Sequence, residues 1–200
     1  MTNNTLVVGA HAQLPTAYGD FQIMAYETNQ DQPTLLIYKG DLKSAQSPII
    51  RVHSECFTGD VLGSLRCDCG LQLRNALKLI NSAGCGAVIY LRQEGRGIGL
   101  VNKLKAYSLQ EQGWDTVEAN LKLHLPVDSR SYEIAASILR NQGVSNINLL
   151  TNNPDKIQQL NHLGIHVDQR IPLEVAANQH DRQYLETKKH KLNHLLSEVD

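Results

Sequence analysis

The sequence has little of what would direct a protein to a membrane, to nucleic acid or to an oxidising compartment. No apolar run approaches the roughly 18 residues of a membrane-spanning helix, and residues 1–5 lack the basic and apolar segments of a secretion signal. The formal net charge is only −1, so no overall electrostatic field attracts nucleic acid. Four cysteines in 200 residues are too few for a disulfide scaffold. These absences predict a cytoplasmic protein without a membrane or nucleic-acid partner.

The apolar content that is present suffices for one substantial core. Hydrophobic residues make up 42% of the 200 residues, and this length favours one domain over two. In the first part of the chain, short runs rich in strand-forming residues alternate with turn sequences. We expect strands over 5–12, 20–26, 34–39 and 48–54.

Beyond the third cysteine the apolar spacing becomes that of helices alternating with short buried strands. The expected elements are a helix ending at Gly84, strand 87–91, helices 100–112 and 130–142, strand 147–150, a helix with Asn153 as N-cap and Pro154 first, and strand 165–168. This order predicts an α/β (α+β) fold, a single domain with a mixed sheet and flanking helices. The domain is expected over 1–174. Residues 175–200 are expected to form a polar C-terminal extension, helical from 182, peripheral and mobile.

Three of the four cysteines are close in sequence and suggest a metal site. Cys56, Cys67 and Cys69 supply three thiolates, where structural zinc sites usually show four protein ligands. Three ligands leave a position for water, the catalytic arrangement, although His53 has a modest claim to be a fourth ligand. The alternative is a set of buried or redox cysteines without metal. Cys85 precedes a buried strand and is interpreted as core packing.

A glycine-rich loop and two polar pairs are weaker candidates for an anion site. Residues 93–99 follow a strand and precede a helix, a context in which backbone N–H groups can meet an anion. Within this loop Glu94 could accept from a base edge and Arg96 could donate to a phosphate; a simple tight turn is equally compatible. On spacing alone, Asp128 with Arg130 and Thr151 with Lys156 are helix caps or solvated ion pairs.

Five ordered segments together resemble GTP cyclohydrolase II, an enzyme family of riboflavin biosynthesis. They are residues 51–60 (RVHSECFTGD), 65–70 (LRCDCG), 92–100 (RQEGRGIGL), 115–120 (DTVEAN) and 149–154 (LLTNNP). The resemblance extends over about residues 12–195 and is to the monofunctional form, without a dihydroxybutanone phosphate synthase domain. It implies a homodimer whose substrate is GTP.

The resemblance also implies a reaction. GTP loses pyrophosphate, the imidazole ring of guanine opens, and C8 leaves as formate, giving 2,5-diamino-6-ribosylamino-4(3H)-pyrimidinone 5′-phosphate. Cys56, Cys67 and Cys69 are implied to hold one zinc ion whose water attacks C8, and magnesium is implied with the substrate phosphates.

The resemblance assigns roles to further residues. Arg130 matches a nucleophile on the α-phosphorus with Asp128 as proton acceptor; because arginine stays protonated, charge stabilisation by Arg130 is the alternative. Tyr107 matches a tyrosine near the ring-opening chemistry, and its alternative role is helix packing. The implied GTP-binding residues are Arg51, Val52, His53, Ser54, Glu55, Gln72, Glu94, Gly95, Arg96, Thr116, Thr151 and Lys156.

Two other functions stay open on the sequence. One is a relative that performs only part of the reaction, releasing pyrophosphate alone or stopping at a formamidopyrimidine. The other is a non-catalytic module that binds zinc or a nucleotide. Product analysis with GTP distinguishes them, because only the full reaction gives both formate and pyrophosphate.

Overall fold

Residues 6–197, described by a computed structural model, fold around a mixed sheet of seven strands. The strands are β1 Val7–Thr16, β2 Gly19–Glu27, β3 Thr34–Lys39, β4 Ile49–Ser54, β5 Gly86–Leu91, β6 Asn146–Leu150 and β7 His166–Ile171. Their order in the sheet is β1-β2-β3-β5-β4-β6-β7. The predicted α/β class with a mixed sheet is confirmed.

The sheet divides into an antiparallel and a parallel part. β1, β2, β3 and β5 pair antiparallel in succession, whereas β4 pairs parallel with both β5 and β6, and β6 with β7. β1 includes Pro15, an unusual residue within a strand. Proline is tolerated there because β1 lies at the edge of the sheet, where only one side of the strand is paired.

Helices connect the strands of the parallel part, and one further helix follows β7. They are α1 Phe57–Asp60, α2 Cys69–Ala83, α3 Leu100–Gln110, α4 Thr116–Lys122, α5 Glu133–Asn141, α6 Pro154–His162 and α7 Arg182–Lys191, with a 3₁₀ turn at Glu94–Gly97. Helix α4 was not expected, although its capping box, Asp115 with Glu118, is visible in the sequence. Within residues 6–197, no helix has both the length and the apolar character that a membrane crossing requires.

Apolar side chains cover both faces of the sheet. On one face Ile50, Ile89 and Leu149 belong to a cluster with α5 and α6, including Ile138 and Leu160. On the other face a second cluster joins strand residues to Ala76 and Ile80 of α2. The three-layer arrangement explains why β5, in the middle of the sheet, is almost continuously apolar, since a strand covered on both sides needs no polar face.

The parallel strands end at one edge of the sheet, and the predicted site residues follow them. Residues 55–60 follow β4, residues 92–99 follow β5, and residues 151–156 follow β6. Because the carboxyl ends of parallel strands meet at the same edge, segments far apart in sequence converge there. The fold therefore brings the predicted site residues together at this edge.

The expectation that the C-terminal segment is peripheral is wrong. Residues 182–191 are helical as predicted, but Leu185 and Lys188 are only 1% and 6% exposed. Lys188 is buried because its ammonium group pairs with Asp68, at the start of α2. The Lys- and His-rich composition of α7 is typical of an exposed helix and gives no sign of this partner. A domain boundary near residue 174 stays a prediction.

Candidate active site

A deep cavity lies at the carboxyl edge of the parallel strands. Most of the residues predicted from the sequence line it: Arg51, His53, Ser54, Glu55, Cys56, Cys67, Cys69, Gln72, Glu94, Gly95, Arg96, Tyr107, Thr116, Arg130, Thr151 and Lys156. The structure thus brings together residues that are far apart in the sequence. Their roles stay predictions.

Two predicted residues are placed differently. The Val52 side chain is fully buried in the core cluster and does not line the cavity. Only its backbone is available, and the carbonyl accepts a hydrogen bond from Lys156 Nζ at 2.7 Å. Asp128 does not line the cavity either; it lies behind Arg130 and holds that guanidinium.

The three clustered cysteines form a group with the geometry of a metal site. The Cys56, Cys67 and Cys69 sulfurs lie within 4.8 Å of one another, and Cys56 and Cys67 are buried. Hydrogen bonds from the Cys67 and Cys69 thiols lower the pKa of Cys56 far below its usual value, so the cluster favours a thiolate. A soft divalent ion suits such a donor set.

His53 is not a member of the cysteine cluster. Its Nε2–H donates to Asp60 Oδ2 at 3.0 Å, and the same carboxylate oxygen accepts from the Cys56 N–H and the Tyr90 hydroxyl. Burial lowers the pKa of His53. His53 and Asp60 therefore fix the strand end that carries Cys56, while His53 Nδ1 is a buried atom without a partner in the described residues.

Gly59 and Gly70 allow the segments that carry the cysteines to pack closely. A Cβ on Gly59 would meet the Cys67 and Cys56 sulfurs at 3.0 and 3.1 Å, and a Cβ on Gly70 would lie 2.1 Å from the Gly59 carbonyl oxygen. Since the second contact is with rigid backbone, a side chain at residue 70 would push α1 away from α2. The cysteine cluster depends on this close approach.

Gly70→Ala is therefore expected to destabilise the protein although alanine is the better helix former. The overlap with the Gly59 carbonyl should outweigh the propensity gain of about 1 kcal/mol, giving a net loss of about 1–3 kcal/mol in denaturant unfolding. Ser82→Ala, at an exposed position of the same helix, is the control and should change stability little. A Gly70→Ala protein as stable as the parent would contradict the tight packing.

Lys103 is a cavity residue that the sequence analysis missed. Its Nζ lies 3.1 Å from Cys56 Sγ and 2.8 Å from Glu94 Oε1. Burial opposes its charge, but the Cys56 thiolate and Glu94 raise the pKa of Lys103 above its usual value. Lys103 lies one helical turn before Tyr107 on α3, so the i, i+4 spacing was the available signal.

The glycine-rich loop is held in a conformation that glycine favours. Gly95 and Arg96 both have φ near +60°, which is unusual for arginine and costs conformational energy. Glu94 fixes the loop by accepting from the Phe57 N–H at 2.6 Å as well as from Lys103. Arg96 in turn donates to Asp128 Oδ2 at 3.3 Å. The strained turn thus directs Arg96 towards the loop that carries Arg130.

Two buried cations in the cavity lack carboxylate partners. Arg51 donates to the Leu150 carbonyl and to Gln72 Oε1, at 3.0 and 2.7 Å, and Lys156 donates to the Val52 carbonyl. Within residues 6–197 neither forms an ion pair. Burial lowers the pKa of both groups, and for Lys156 the nearby charges of Arg51 and Arg130 lower it further. Such a cluster is stabilised by a bound polyanion.

Arg130 is tied to Asp128 by several hydrogen bonds. Its Nε donates to Asp128 Oδ1 at 2.9 Å, its Nη2 donates to Oδ2, and its backbone N–H also donates to this carboxylate. Burial works against the charge on Arg130, but the bond with Asp128 raises the pKa of Arg130 above its usual value. Asp128 therefore orients a guanidinium that is firmly protonated.

Tyr107 faces the cavity with its hydroxyl protonated. Burial raises the pKa of Tyr107, and the charge of Lys103 offsets part of this rise. The guanidinium of Arg66, another cavity residue missed by the sequence analysis, lies 4.9 Å from the centroid of the Tyr107 ring. This contact fixes the plane of the ring, so Tyr107 can offer a donor at a defined position.

The other predicted residues have polar contacts at the rim. Gln93 donates to Ser54 Oγ at 2.9 Å, Arg92 to Glu55 Oε1 at 2.9 Å, and the Asn153 N–H to Thr151 Oγ1 at 3.0 Å. Thr116, the first residue of α4, accepts from Gln110 at 3.4 Å. Sequence analysis also missed Tyr184, Lys188 and His194, which reach the cavity from the C-terminal segment.

The fold and the cavity define a class of protein. A cysteine cluster that could hold a metal ion and buried cations without carboxylate partners face one cavity, as expected of a metal-dependent enzyme for a phosphorylated substrate. The sequence model of one family, GTP cyclohydrolase II, matches residues 7–172. The chain belongs to the GTP cyclohydrolase II family, and the predicted membership is confirmed.

Curated relatives of two lengths agree with this membership. The chain is 50% identical over 189 residues to GTP cyclohydrolase-2 of Neisseria meningitidis, covering 94% of this chain and 96% of that protein. It is 53% identical over 185 residues to riboflavin biosynthesis protein RibBA of Bacillus subtilis and 50% identical over 187 residues to that of Chlorobium phaeovibrioides, covering 92% and 93% of this chain. The chain spans about half the length of these two RibBA proteins, 46% in each case.

Proposed function

We propose that this protein hydrolyses GTP to 2,5-diamino-6-ribosylamino-4(3H)-pyrimidinone 5′-phosphate, formate and pyrophosphate, at the first step of riboflavin biosynthesis. The observation that carries the proposal is the joint presence of the cysteine cluster and the unpaired cations Arg51 and Lys156 in one cavity. The two halves of the reaction need these two kinds of group. Membership of the GTP cyclohydrolase II family supports the assignment.

The metal in this proposal is one Zn²⁺ per chain on Cys56, Cys67 and Cys69. The donor set fits, since three sulfurs are within reach of one ion, and a tetrahedral site on three protein ligands would leave its fourth position for water. When bound, zinc supplies a water of lowered pKa and polarises the atoms near it. The protein's own contribution is to bring guanine C8 to this position and exclude bulk water. Tyr107 offers a protonated hydroxyl there, available for a hydrogen bond or a proton transfer.

The phosphate chain is proposed to bind among Arg51, Arg96, Arg130 and Lys156, and Mg²⁺ bound with the substrate would neutralise part of the phosphate charge. The raised pKa of Arg130 supports the view that it stabilises developing charge on the α-phosphoryl group. A nucleophilic guanidinium would first have to lose a proton that Asp128 helps to retain. Asp128 then acts as the residue that orients Arg130.

The base is proposed to contact polar groups at the rim, where carboxylates can accept both the N1–H and the amino group of guanine. Glu55 and Glu94 are the cavity carboxylates, and both already accept hydrogen bonds that fix their orientation. The other residues of this proposed contact set are Val52 through its backbone, His53, Ser54, Gln72, Gly95, Thr116 and Thr151. A site built on such pairs discriminates strongly against adenine.

Lys156→Met is expected to weaken substrate binding more than turnover. Removal of a buried cation that contacts phosphate should raise KM for GTP about 10- to 100-fold, as expected for a hydrogen bond to a charged group. Steady-state kinetics with GTP measure this, and kcat should change much less. Lys105→Met, at an exposed position of α3, serves as the matched control. Equal KM values for the two variants would remove Lys156 from the phosphate site.

The proposal is tested by measuring formate and pyrophosphate from one incubation of the protein with GTP, Zn²⁺ and Mg²⁺. Equal yields support the full reaction. Pyrophosphate without formate would instead favour a relative that performs a partial reaction. Bound zinc at one per chain with neither product would favour a non-catalytic module.

Two further features of the proposal concern the setting of the enzyme. A zinc site of three thiolates requires reduced cysteines, which a reducing compartment maintains, and this requirement supports the predicted cytoplasmic location. The family resemblance supports a homodimer, which equilibrium sedimentation of the purified protein tests directly. No described feature points to a nucleic-acid or membrane partner.

A further inference from the structure

The C-terminal segment, residues 182–197, forms part of the cavity wall. Tyr184, Lys188 and His194 line the cavity. The Lys188 ammonium lies 4.3 Å from the centroid of the Tyr184 ring and donates to Asp68 Oδ1 at 2.6 Å. The segment is therefore attached to the site by a buried ion pair.

This attachment continues to the predicted phosphate site. Asp68 Oδ2 accepts from Gln72 Nε2 at 2.6 Å, and Gln72 Oε1 accepts from Arg51 Nη2 at 2.7 Å. Lys188, Asp68, Gln72 and Arg51 thus form one continuous chain of buried hydrogen bonds. Three hydrogen-bonded contacts therefore connect Lys188 of α7 to Arg51.

The end of α7 directs His194 back towards the cavity. The helix ends at Lys191, and Asn193 has φ of 54°, a left-handed conformation that asparagine tolerates. The His194 N–H donates to the Lys188 carbonyl at 2.9 Å, and the Leu195 N–H to the Asn152 carbonyl at 2.8 Å. These bonds close the turn and place His194 beside the loop that follows β6.

The His194 ring is available for a ligand. It has no hydrogen-bond partner among residues 6–197, although it lines the cavity. Burial and the charges of Lys188, Arg96, Arg130 and Lys156 lower the pKa of His194 to about 2. The imidazole is therefore neutral and retains one N–H donor. The charges that act on His194 are those of these four cations, which suit a polyanion.

We propose that His194 binds the phosphate chain of the nucleotide, and that Lys188 is a positioning residue that holds the segment carrying His194 through its pair with Asp68. The inference rests on the proposed function, since it needs a phosphorylated substrate in this cavity. The same four cations that act on His194 would attract the phosphate oxygens. The His194 ring N–H can then donate a hydrogen bond to one of these oxygens. The C-terminal segment is then a functional part of the site.

The test of His194 uses the full-length chain and compares His194→Ala with His190→Ala, an exposed histidine on α7. His194→Ala should raise KM for GTP about tenfold or more, with kcat within about threefold, whereas His190→Ala should match the parent. Inhibition constants for pyrophosphate and for guanosine distinguish a specific loss of phosphate binding from general damage to the fold. His194→Ala should weaken inhibition by inorganic pyrophosphate and leave inhibition by guanosine unchanged. His194→Gln, which keeps an N–H donor, should restore part of the affinity.

Lys188 is tested by its conservative variant. Lys188→Met should raise KM for GTP and weaken inhibition by pyrophosphate, because Asp68 loses its partner, and Lys188→Arg should restore both in part. Equal KM values for His194→Ala and His190→Ala, or equal loss of pyrophosphate and guanosine inhibition, would overturn the inference while the parent still forms products from GTP. A parent that forms no product from GTP would instead overturn the proposed function.

Discussion

Replacement of Cys67 by serine is expected to abolish formate release from GTP while pyrophosphate release continues. Cys67 is one of three sulfurs within 4.8 Å of one another, and two sulfurs without the third fall short of the three protein ligands of a catalytic zinc site. Without zinc the attacking water keeps a pKa near 15.7 instead of about 7, so formate release should fall by about a thousandfold or more. Formate and pyrophosphate are measured in the same incubation, and zinc by elemental analysis.

The control for Cys67 is the cysteine that lies outside the cluster. Cys85 is half-buried and its thiol donates to the Asp41 carbonyl at 3.6 Å. The Cys85→Ser variant should therefore keep its zinc and release formate and pyrophosphate as the parent does. The Cys67→Ser protein should lose its zinc but keep a cooperative unfolding transition. Formate release at the parent's rate would contradict a role for the cluster in ring opening.

Local signals explain why much of the fold could be predicted from the sequence. Gly84 ends α2 in a left-handed conformation, and Asn153 caps α6, whose first residue is Pro154. Each of these helix-end signals acts within a few residues of the chain. Helix α5 shows the limit of such signals. Its apolar spacing suggests a start at residue 130, but Arg130 is bound through its backbone and side chain to Asp128, which keeps residues 130–132 out of the helix.

The parts of the site that could not be predicted depend on distant partners. Lys188 is separated by 120 residues from Asp68, and no spacing within α7 distinguishes it from an exposed lysine. Lys103 likewise is recognised as a site residue only by its contacts with Cys56 and Glu94, which lie on other segments. The motif residues could be found because each motif is contiguous, whereas the groups that position them become visible only when the parallel strands bring their loops together.

Replacement of Arg130 by alanine is expected to damage pyrophosphate release by about 100- to 1000-fold, the loss typical of removing one donor that stabilises transition-state charge. Arg130 is held by Asp128 with its guanidinium facing the cavity, so the variant keeps the cysteine cluster intact and should bind zinc normally. Arg130→Lys should have an intermediate rate, because lysine keeps the charge but loses the fixed two-pronged geometry. Pyrophosphate release under saturating GTP is the measurement.

The decisive comparison is between Arg130→Ala and Cys67→Ser. If the cavity has two reaction centres, the first variant should lose pyrophosphate release more than formate release, and the second should show the reverse. Arg140→Ala, an exposed arginine of α5 whose Nη1 donates to the Leu163 carbonyl at 2.7 Å, should leave both products unchanged. Equal loss of both products in both folded variants would mean that the cysteine cluster and Arg130 act on one step. The division of the cavity between ring opening and phosphate cleavage would then be wrong.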